Sequence, residues 1–237
     1  MCSSSIEMIN KQHKKESKSS FNITGGRYKG KRLYMHSNIT TRPTKALVKK
    51  SFFDSMQDII PNCIFIECFA GSGQMGFEAI SRGAKKAIFF EKDLIAYNNL
   101  QENLRLFRCR ENASTNHKND MKILKSQSTL SLQSGQQIES YSIDFFDSSS
   151  ILEDLSNLSE HIVMYLDPPF PSNTHDSSNV YDNILFFMQT FSNAFLHKIH
   201  ILIIELMSNY PIYENIANFH ISKISKFGKT TLIYFKH

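Results

Sequence analysis

The residues of this 237-residue chain with the clearest chemical potential are Asp167-Pro168-Pro169-Phe170, which directly follow the apolar run Ile162-Val-Met-Tyr-Leu166. An exocyclic amine on a nucleobase is a weak nucleophile, because its lone pair is delocalised into the ring. Two acceptors on its hydrogens would push the nitrogen towards tetrahedral geometry and free that pair. The Asp167 carboxylate can supply one acceptor and the Pro168 backbone carbonyl the other. Successive prolines fix φ near about −65° and remove competing N–H donors. A residue before proline is held extended, so the direction of the Pro168 carbonyl is preset. Phe170 offers a ring on which a base could stack, worth roughly 1–3 kcal/mol. That offsets much of the few kcal/mol spent in drawing a base out of its stack. Asp167 is also a possible sink for the released proton. The plainer reading is a rigid Pro-Pro turn at the end of a strand.

A second constellation would hold the other reactant. Gly71-Ser-Gly73-Gln-Met-Gly76 fits a Gly-x-Gly-x-x-Gly loop between a strand and a helix, where doubly wound sheets bind ligands. Glu91 ends the next apolar run, where an acid can accept both hydroxyls of a ribose. These two signs alone suit NAD and S-adenosylmethionine equally. Glu67, just before the loop, favours S-adenosylmethionine: a carboxylate attracts its sulfonium and amino group but would repel the pyrophosphate of NAD. Asp144 can accept from an adenine amino group, with Phe145 beside it as an apolar surface. Phe69, Ala70 and Ser72 of the loop, and Lys92 after Glu91, complete the expected cofactor contacts. A sulfonium-borne methyl is already activated, so positioning is the protein's main task, and proximity can supply up to about 7–11 kcal/mol. No metal is required.

These residues need a scaffold that places them at one edge. Cys63–Phe69, Ala87–Glu91, Ile138–Asp144, Ile162–Leu166 and Ile199–Leu206 read as strands, the most apolar of them covered on both faces. Helices are expected over 74–82, from an Asp93 cap to about Phe107, over 151–158 and over 181–195. Phe219–Lys226 and Thr230–Phe235 read as a closing hairpin around Gly228. Such alternation predicts an α/β fold, a doubly wound, Rossmann-like, mostly parallel sheet with a C-terminal antiparallel hairpin. Residues 108–137, rich in Ser, Gln, Asn and Lys, read as an exposed irregular insertion.

The N-terminal part reads differently. Residues 1–20 look like a disordered basic tail. Residues 21–59 read as two short strands around a Gly-rich turn, then a helix from Pro43 with Leu47, Val48, Phe52 and Met56 on one face. Residues 60–237 would form the main domain. Positions 1–50 hold twelve Lys/Arg against two Glu, a net +10, whereas the rest of the chain carries −5. A basic arm on a mildly acidic body suggests a polyanion partner. Arg27, Lys29, Lys31, Arg32 and Arg42 are the candidate phosphate contacts. The four cysteines show neither C-x-x-C spacing nor a histidine cluster, so no zinc site or disulfide framework is expected. No apolar run nears the roughly 18 residues of a membrane helix, and the polar N-terminus lacks a signal-peptide core. A cytoplasmic monomer with no membrane partner is the expectation.

Several segments together resemble one family. They are Ile23-Thr-Gly-Gly-Arg-Tyr-Lys-Gly-Lys-Arg-Leu33, Arg42-Pro-Thr44, Cys68-Phe-Ala-Gly-Ser-Gly73, Glu78-Ala-Ile-Ser-Arg-Gly-Ala84 and Leu166-Asp-Pro-Pro-Phe170. The chain is similar over 21–107 and 138–235 to the bacterial 16S ribosomal RNA guanine-N2 methyltransferases. That resemblance implies a seven-stranded methyltransferase sheet and methyl transfer to the N2 of one guanine during ribosome assembly. The partner would be 16S rRNA or an assembling 30S particle. Glu67, Gly71, Gly73, Glu91 and Asp144 would hold the cofactor, and 167–170 the target base. Glu67 stands where many members have Asp, and the early tail is longer. Three rivals stay open: a DNA adenine methyltransferase, which shares Asp-Pro-Pro-Phe; an NAD-dependent oxidoreductase; and a non-catalytic RNA-binding assembly factor.

Overall fold

A computed structural model describes residues 19–35, 43–108, 121–123, 126–169 and 180–237. Residues 1–18 of the expected tail, Arg42, Phe170 and the 171–179 loop lie outside the described residues, whereas Ser20, the last residue of that tail, opens a strand.

The strands are β1 (Ser20–Asn22), β2 (Arg32–Tyr34), β3 (Ile64–Glu67), β4 (Lys86–Phe90), β5 (Met121–Ile123), β6 (Gln127–Ser131), β7 (Gln137–Tyr141), β8 (Ile162–Leu166), β9 (Ile199–Met207), β10 (Asn215–Ile216), β11 (Phe219–Phe227) and β12 (Thr230–Lys236). The helices are α1 (Pro43–Ser55), α2 (Gln74–Ser81), α3 (Leu94–Arg108), α4 (Ser149–Glu153), α5 (Val180–Gln189) and α6 (Asn193–Lys198). β1 and β2 form a separate antiparallel pair. The other ten strands make one sheet in the order β10-β11-β12-β9-β8-β3-β4-β7-β6-β5. Its central strands β7, β4, β3, β8 and β9 are parallel. β12 and β11 continue it antiparallel, giving the seven strands expected, Rossmann-like and with the closing hairpin. Among the described residues, short strands β10 on one side and β6-β5 on the other bring the total to ten.

β3 and β8 are buried along their whole length, as apolar strands covered on both faces must be. Alternate residues of β3 serve opposite layers. Phe65 joins the cluster containing Val48, Phe52, Tyr97, Leu100 and Phe107 of α1 and α3. Ile64 and Ile66 join the cluster containing Ile184, Met188, Phe191 and Phe195. Phe21, Ile23 and Leu33 of the β1-β2 pair lie in the first cluster, so the hairpin shares a core with the sheet.

Three expectations need correcting. The 108–137 stretch is not all irregular, because β6 pairs antiparallel with β7 and β5 with β6. Its alternation is masked by polar residues that are buried: Ser128 Oγ donates to Gln101 Oε1, and Gln101 Nε2 donates to Ser140 Oγ. The helix expected over 181–195 is two helices. The break comes at Ser192, whose hydroxyl accepts from Phe195 N and caps α6. On α1, Leu47 is exposed while Phe53 takes an inward place beside Phe52. Among the described residues no helix is long and apolar enough to cross a membrane.

Candidate active site

At the carboxyl ends of the parallel strands lies a cavity of about 630 Å³. Most of the residues singled out from the sequence line it: Glu67, Phe69, Ala70, Gly71, Ser72, Glu91, Lys92, Asp144, Phe145, Asp167, Pro168 and Pro169. Each is delivered by a strand end. Glu67 closes β3, Glu91 follows β4, Asp144 follows β7 and Asp167 follows β8.

The glycine loop turns sharply between β3 and α2. Gly73 sits at φ 80°, and a Cβ there would lie 2.7 Å from both Leu100 and Phe77. Gly71, at φ 53°, has nothing within 4 Å of a built Cβ and faces open space. Its amide donates to Glu91 Oε2 at 2.7 Å, while Asp93 N donates to Glu91 Oε1 at 2.8 Å. The expected ribose acceptor is thereby fixed at the loop with both oxygens oriented. Each carboxylate oxygen retains a further acceptor site for a hydroxyl.

Glu67 does something the sequence did not suggest. It is 5% exposed, and its oxygens accept from Met75 N and Gly76 N, the latter at 2.8 Å. It therefore caps α2, whose N-cap Gly73 has no side chain to do so. Burial raises its pKa to about 8, against the two backbone donors, which lower it. No ion pair to Glu67 forms among the described residues. A carboxylate buried at a pocket wall without a paired cation suits a cationic ligand.

At the other end, Asp144 Oδ2 accepts from Lys92 Nζ at 2.9 Å and its Oδ1 from Phe146 N. Asp144 and Lys92 thus close on one another across the strand ends. Phe69 packs on Phe145 and Phe146 with centroids 5.6 and 6.2 Å apart. Phe145 is itself buried among Phe90 and Phe187, so it forms wall rather than a projecting ring.

Several site residues had no sequence signal. Lys45 of α1 reaches Asp167 Oδ2 at 2.5 Å and Glu205 Oε1 at 3.2 Å. Glu205, on β9, is buried and takes the Tyr165 hydroxyl at 2.6 Å. Burial works to lower the Lys45 pKa, but the two carboxylates outweigh it and hold it above the ordinary lysine value. Burial raises the Glu205 pKa, and the neighbouring Asp167 charge raises it further. Asn103 of α3 pairs with the backbone of Tyr34 and donates to the Ser72 carbonyl, tying β2 to the glycine loop.

The proposed phosphate contacts divide. Arg27, Lys29 and Arg32 are exposed on the β1-β2 unit. Lys31 is not: it is buried, its ammonium donates to the Phe107 carbonyl at 2.5 Å and lies 5.0 Å from the Phe107 ring centroid. It closes the C-terminal end of α3 instead of facing solvent. The unit is anchored by Glu78 of α2. Its oxygens accept from Thr24 N, Thr24 Oγ1 and Gly25 N at 2.7–2.8 Å, and from Arg82 Nε at 2.9 Å, with Lys49 Nζ at 3.4 Å.

Comparison with known proteins decides the family. The profile of the family described as conserved hypothetical protein 95 matches residues 21–147, more than half of the sequence. The chain belongs to that family. A Haemophilus influenzae relative, ribosomal RNA small subunit methyltransferase D, is 31% identical over 151 residues, which is 64% of each chain. Its Escherichia coli namesake is 33% identical over 107 residues, 45% of this chain and 54% of the relative. The chain thus spans between about half and two thirds of these two curated relatives. Among solved structures, a hypothetical protein of Thermus thermophilus aligns with a TM-score of 0.58 at 17% identity, over 92% of this chain and 99% of that one. Trm1 of Pyrococcus horikoshii, solved with S-adenosyl-L-methionine, aligns with a TM-score of 0.55 at 11% identity, over 86% of this chain and 58% of that one. These likenesses show the fold.

Proposed function

We propose that this chain transfers a methyl group from S-adenosylmethionine to the exocyclic N2 of a guanine in 16S rRNA, during assembly of the small subunit. One observation carries the reading. The Asp167-Pro168-Pro169 turn opens into the same cavity as the glycine loop, Glu67 and Glu91. The names of the curated relatives support an RNA substrate, and the exposed Arg27, Lys29 and Arg32 provide cations for its phosphates.

The donor set fits the cofactor. Glu91 would take the ribose, Phe69 and Asp144 would flank the adenine, and Glu67 would face the cationic end. When bound, S-adenosylmethionine supplies a methyl group on a sulfonium that needs no further activation. The chain's own contribution is to present the amine. Asp167 accepts one of its hydrogens, the preset Pro168 carbonyl accepts another, and Asp167 can receive the proton lost as nitrogen gains its new bond to carbon, the sulfur–carbon bond breaking with its electron pair left on a neutral thioether. The acceptors are aimed before the base arrives, which is the cheap form of catalysis by positioning.

The test is methyl transfer from labelled S-adenosylmethionine to small-subunit particles lacking the modification, with free 16S rRNA and duplex DNA as parallel substrates. N2-methylguanine in the rRNA is expected, and N6-methyladenine in DNA would replace this reading with its rival. Asp167→Ala should lower the rate by about 10²–10⁴-fold, the usual share of a placed proton acceptor, while cofactor affinity changes little. An undiminished rate would remove Asp167 from the chemistry.

A further inference from the structure

Asp167 and Glu205 are two carboxylates served by one ammonium. Lys45, in the first turn of α1, lies 2.5 Å from Asp167 Oδ2 and 3.2 Å from Glu205 Oε1. Glu205 is 1% exposed, and its other oxygen, Oε2, holds the hydroxyl of the buried Tyr165. The result is a file of side chains from the core to the cavity: Tyr165, Glu205, Lys45, Asp167. All four line the cavity. Two neighbouring carboxylates resist ionising together, and a cation between them relieves that conflict. Without it, the buried Glu205 would face Asp167 with no cation between them, and Asp167 would lose the partner that fixes its Oδ2.

We infer that Lys45 is a positioning residue for Asp167: braced by Glu205, its ammonium occupies Oδ2 and leaves Oδ1 as the oxygen that receives the target amine. The inference rests on the methyl-transfer reading above. It also gives α1 a second duty. One turn further along the same helix, Lys49 Nζ donates to the Asn22 carbonyl at 3.0 Å and approaches Glu78 at 3.4 Å. Residues four apart lie on one helix face. The helix therefore grips the basic hairpin with one lysine and the catalytic carboxylate with the other.

The test compares the full-length wild type with Lys45→Met and Lys45→Arg in the same methylation assay. Lys45→Met should lower kcat by at least about tenfold, one order of what a placed proton acceptor supplies. KM for S-adenosylmethionine should stay within about threefold, because Lys45 acts on the amine side rather than on cofactor binding. The acid limb of the kcat–pH profile should move to higher pH, since Glu205 loses the cation that favours its charged form. Lys45→Arg, which keeps the charge, should recover most of the rate and return the acid limb. A kcat for Lys45→Met within twofold of wild type overturns the inference. So does an equal loss in both variants with an unmoved acid limb, which is the signature of disturbed helix packing. If the wild type methylates none of the RNAs offered, the methyl-transfer reading fails by itself. The arrangement is then read without turnover, from the carboxyl ¹³C titration of Glu205. Its midpoint should rise in Lys45→Met, and an unmoved midpoint overturns the inference independently of any activity.

Discussion

Two glutamates meet α2, and both are buried, but their surroundings push them in opposite directions. Glu78 receives backbone and hydroxyl donors from Thr24 and Gly25, with Arg82 and Lys49 alongside. Burial works to raise its pKa, yet those donors and charges outweigh it and hold the carboxyl below its ordinary value. Glu67 receives two backbone amides, and burial carries its pKa up to about 8. One carboxylate is fully compensated by the protein and fastens the hairpin. The other is left under-compensated at the wall of the cavity. A fully paired charge marks a joint, whereas a partly paired one at a pocket marks a place where a ligand completes the pairing.

The widest test of that contrast is stability. Glu78→Leu strands the Lys49 ammonium in a buried position, so it should cost roughly 3–5 kcal/mol, the usual result of removing one partner of a buried pair. A lowered urea midpoint would show it. Glu67→Gln should shift that midpoint far less, because the amide imitates the protonated acid and its oxygen can still accept from α2. If the two variants lose equal stability, the distinction between joint and ligand site fails.

Cofactor affinity should reverse the order. Glu67→Gln should weaken S-adenosylmethionine binding by about 10–100-fold, the equivalent of a lost charge-assisted contact of about 1.5–3 kcal/mol. Calorimetry on the two variants reads this directly, with Glu78→Leu examined at a temperature where it is folded.

The two groups should also leave opposite marks on pH dependence. The folded pKa of Glu67 is raised from 4.5 to about 8. The folded state therefore binds the extra proton across that window, and its contribution to stability is lost as pH rises through about 8. Glu78 is lowered, so its contribution is present above about 4.5 and is lost as pH falls through its folded value. A cationic ligand ionises Glu67 on binding, so wild type should release a proton near pH 7 and Glu67→Gln should not. Equal binding enthalpies for the wild type in buffers of different ionisation heat would contradict this.

The smallest effect separates the two sides of the glycine loop. Gly73→Ala combines a positive φ with contacts of 2.7 Å to Leu100 and Phe77, and should cost roughly 1–3 kcal/mol of stability. Gly71→Ala meets no atom within 4 Å, so its loss should be smaller in thermal unfolding and larger, by comparison, in cofactor affinity.

Much of this was readable from local pattern. Ile162–Leu166 announces a buried strand and Asp167-Pro-Pro a fixed turn, because both signals depend on immediate neighbours. Glu91 was legible from its spacing after the loop. Lys45, Glu205 and Tyr165 were not, since their meaning arises only when α1, β8 and β9 converge, 122 residues of chain separating Lys45 from Asp167. Lys31 misled for the converse reason. Its neighbours Arg27, Lys29 and Arg32 face solvent, and nothing in the charge pattern shows that Lys31, just before β2, turns inward onto the end of α3. In β6 the alternation is present, but Ser128 fills an inward place and finds its partner in Gln101, so a hydrophobic pattern does not reveal it.

The ends of the sheet carry one more consequence. Had β7 been the border, a five-residue parallel strand would present its row of unpaired amides and carbonyls to any passing chain. Among the described residues the border falls instead on three-residue β5 at one side and two-residue β10 at the other. Brief margins of this kind give a foreign strand little to zip onto. The β6–β5 pair, in a stretch expected to be an irregular insertion, therefore acts as a hem along that side of the sheet.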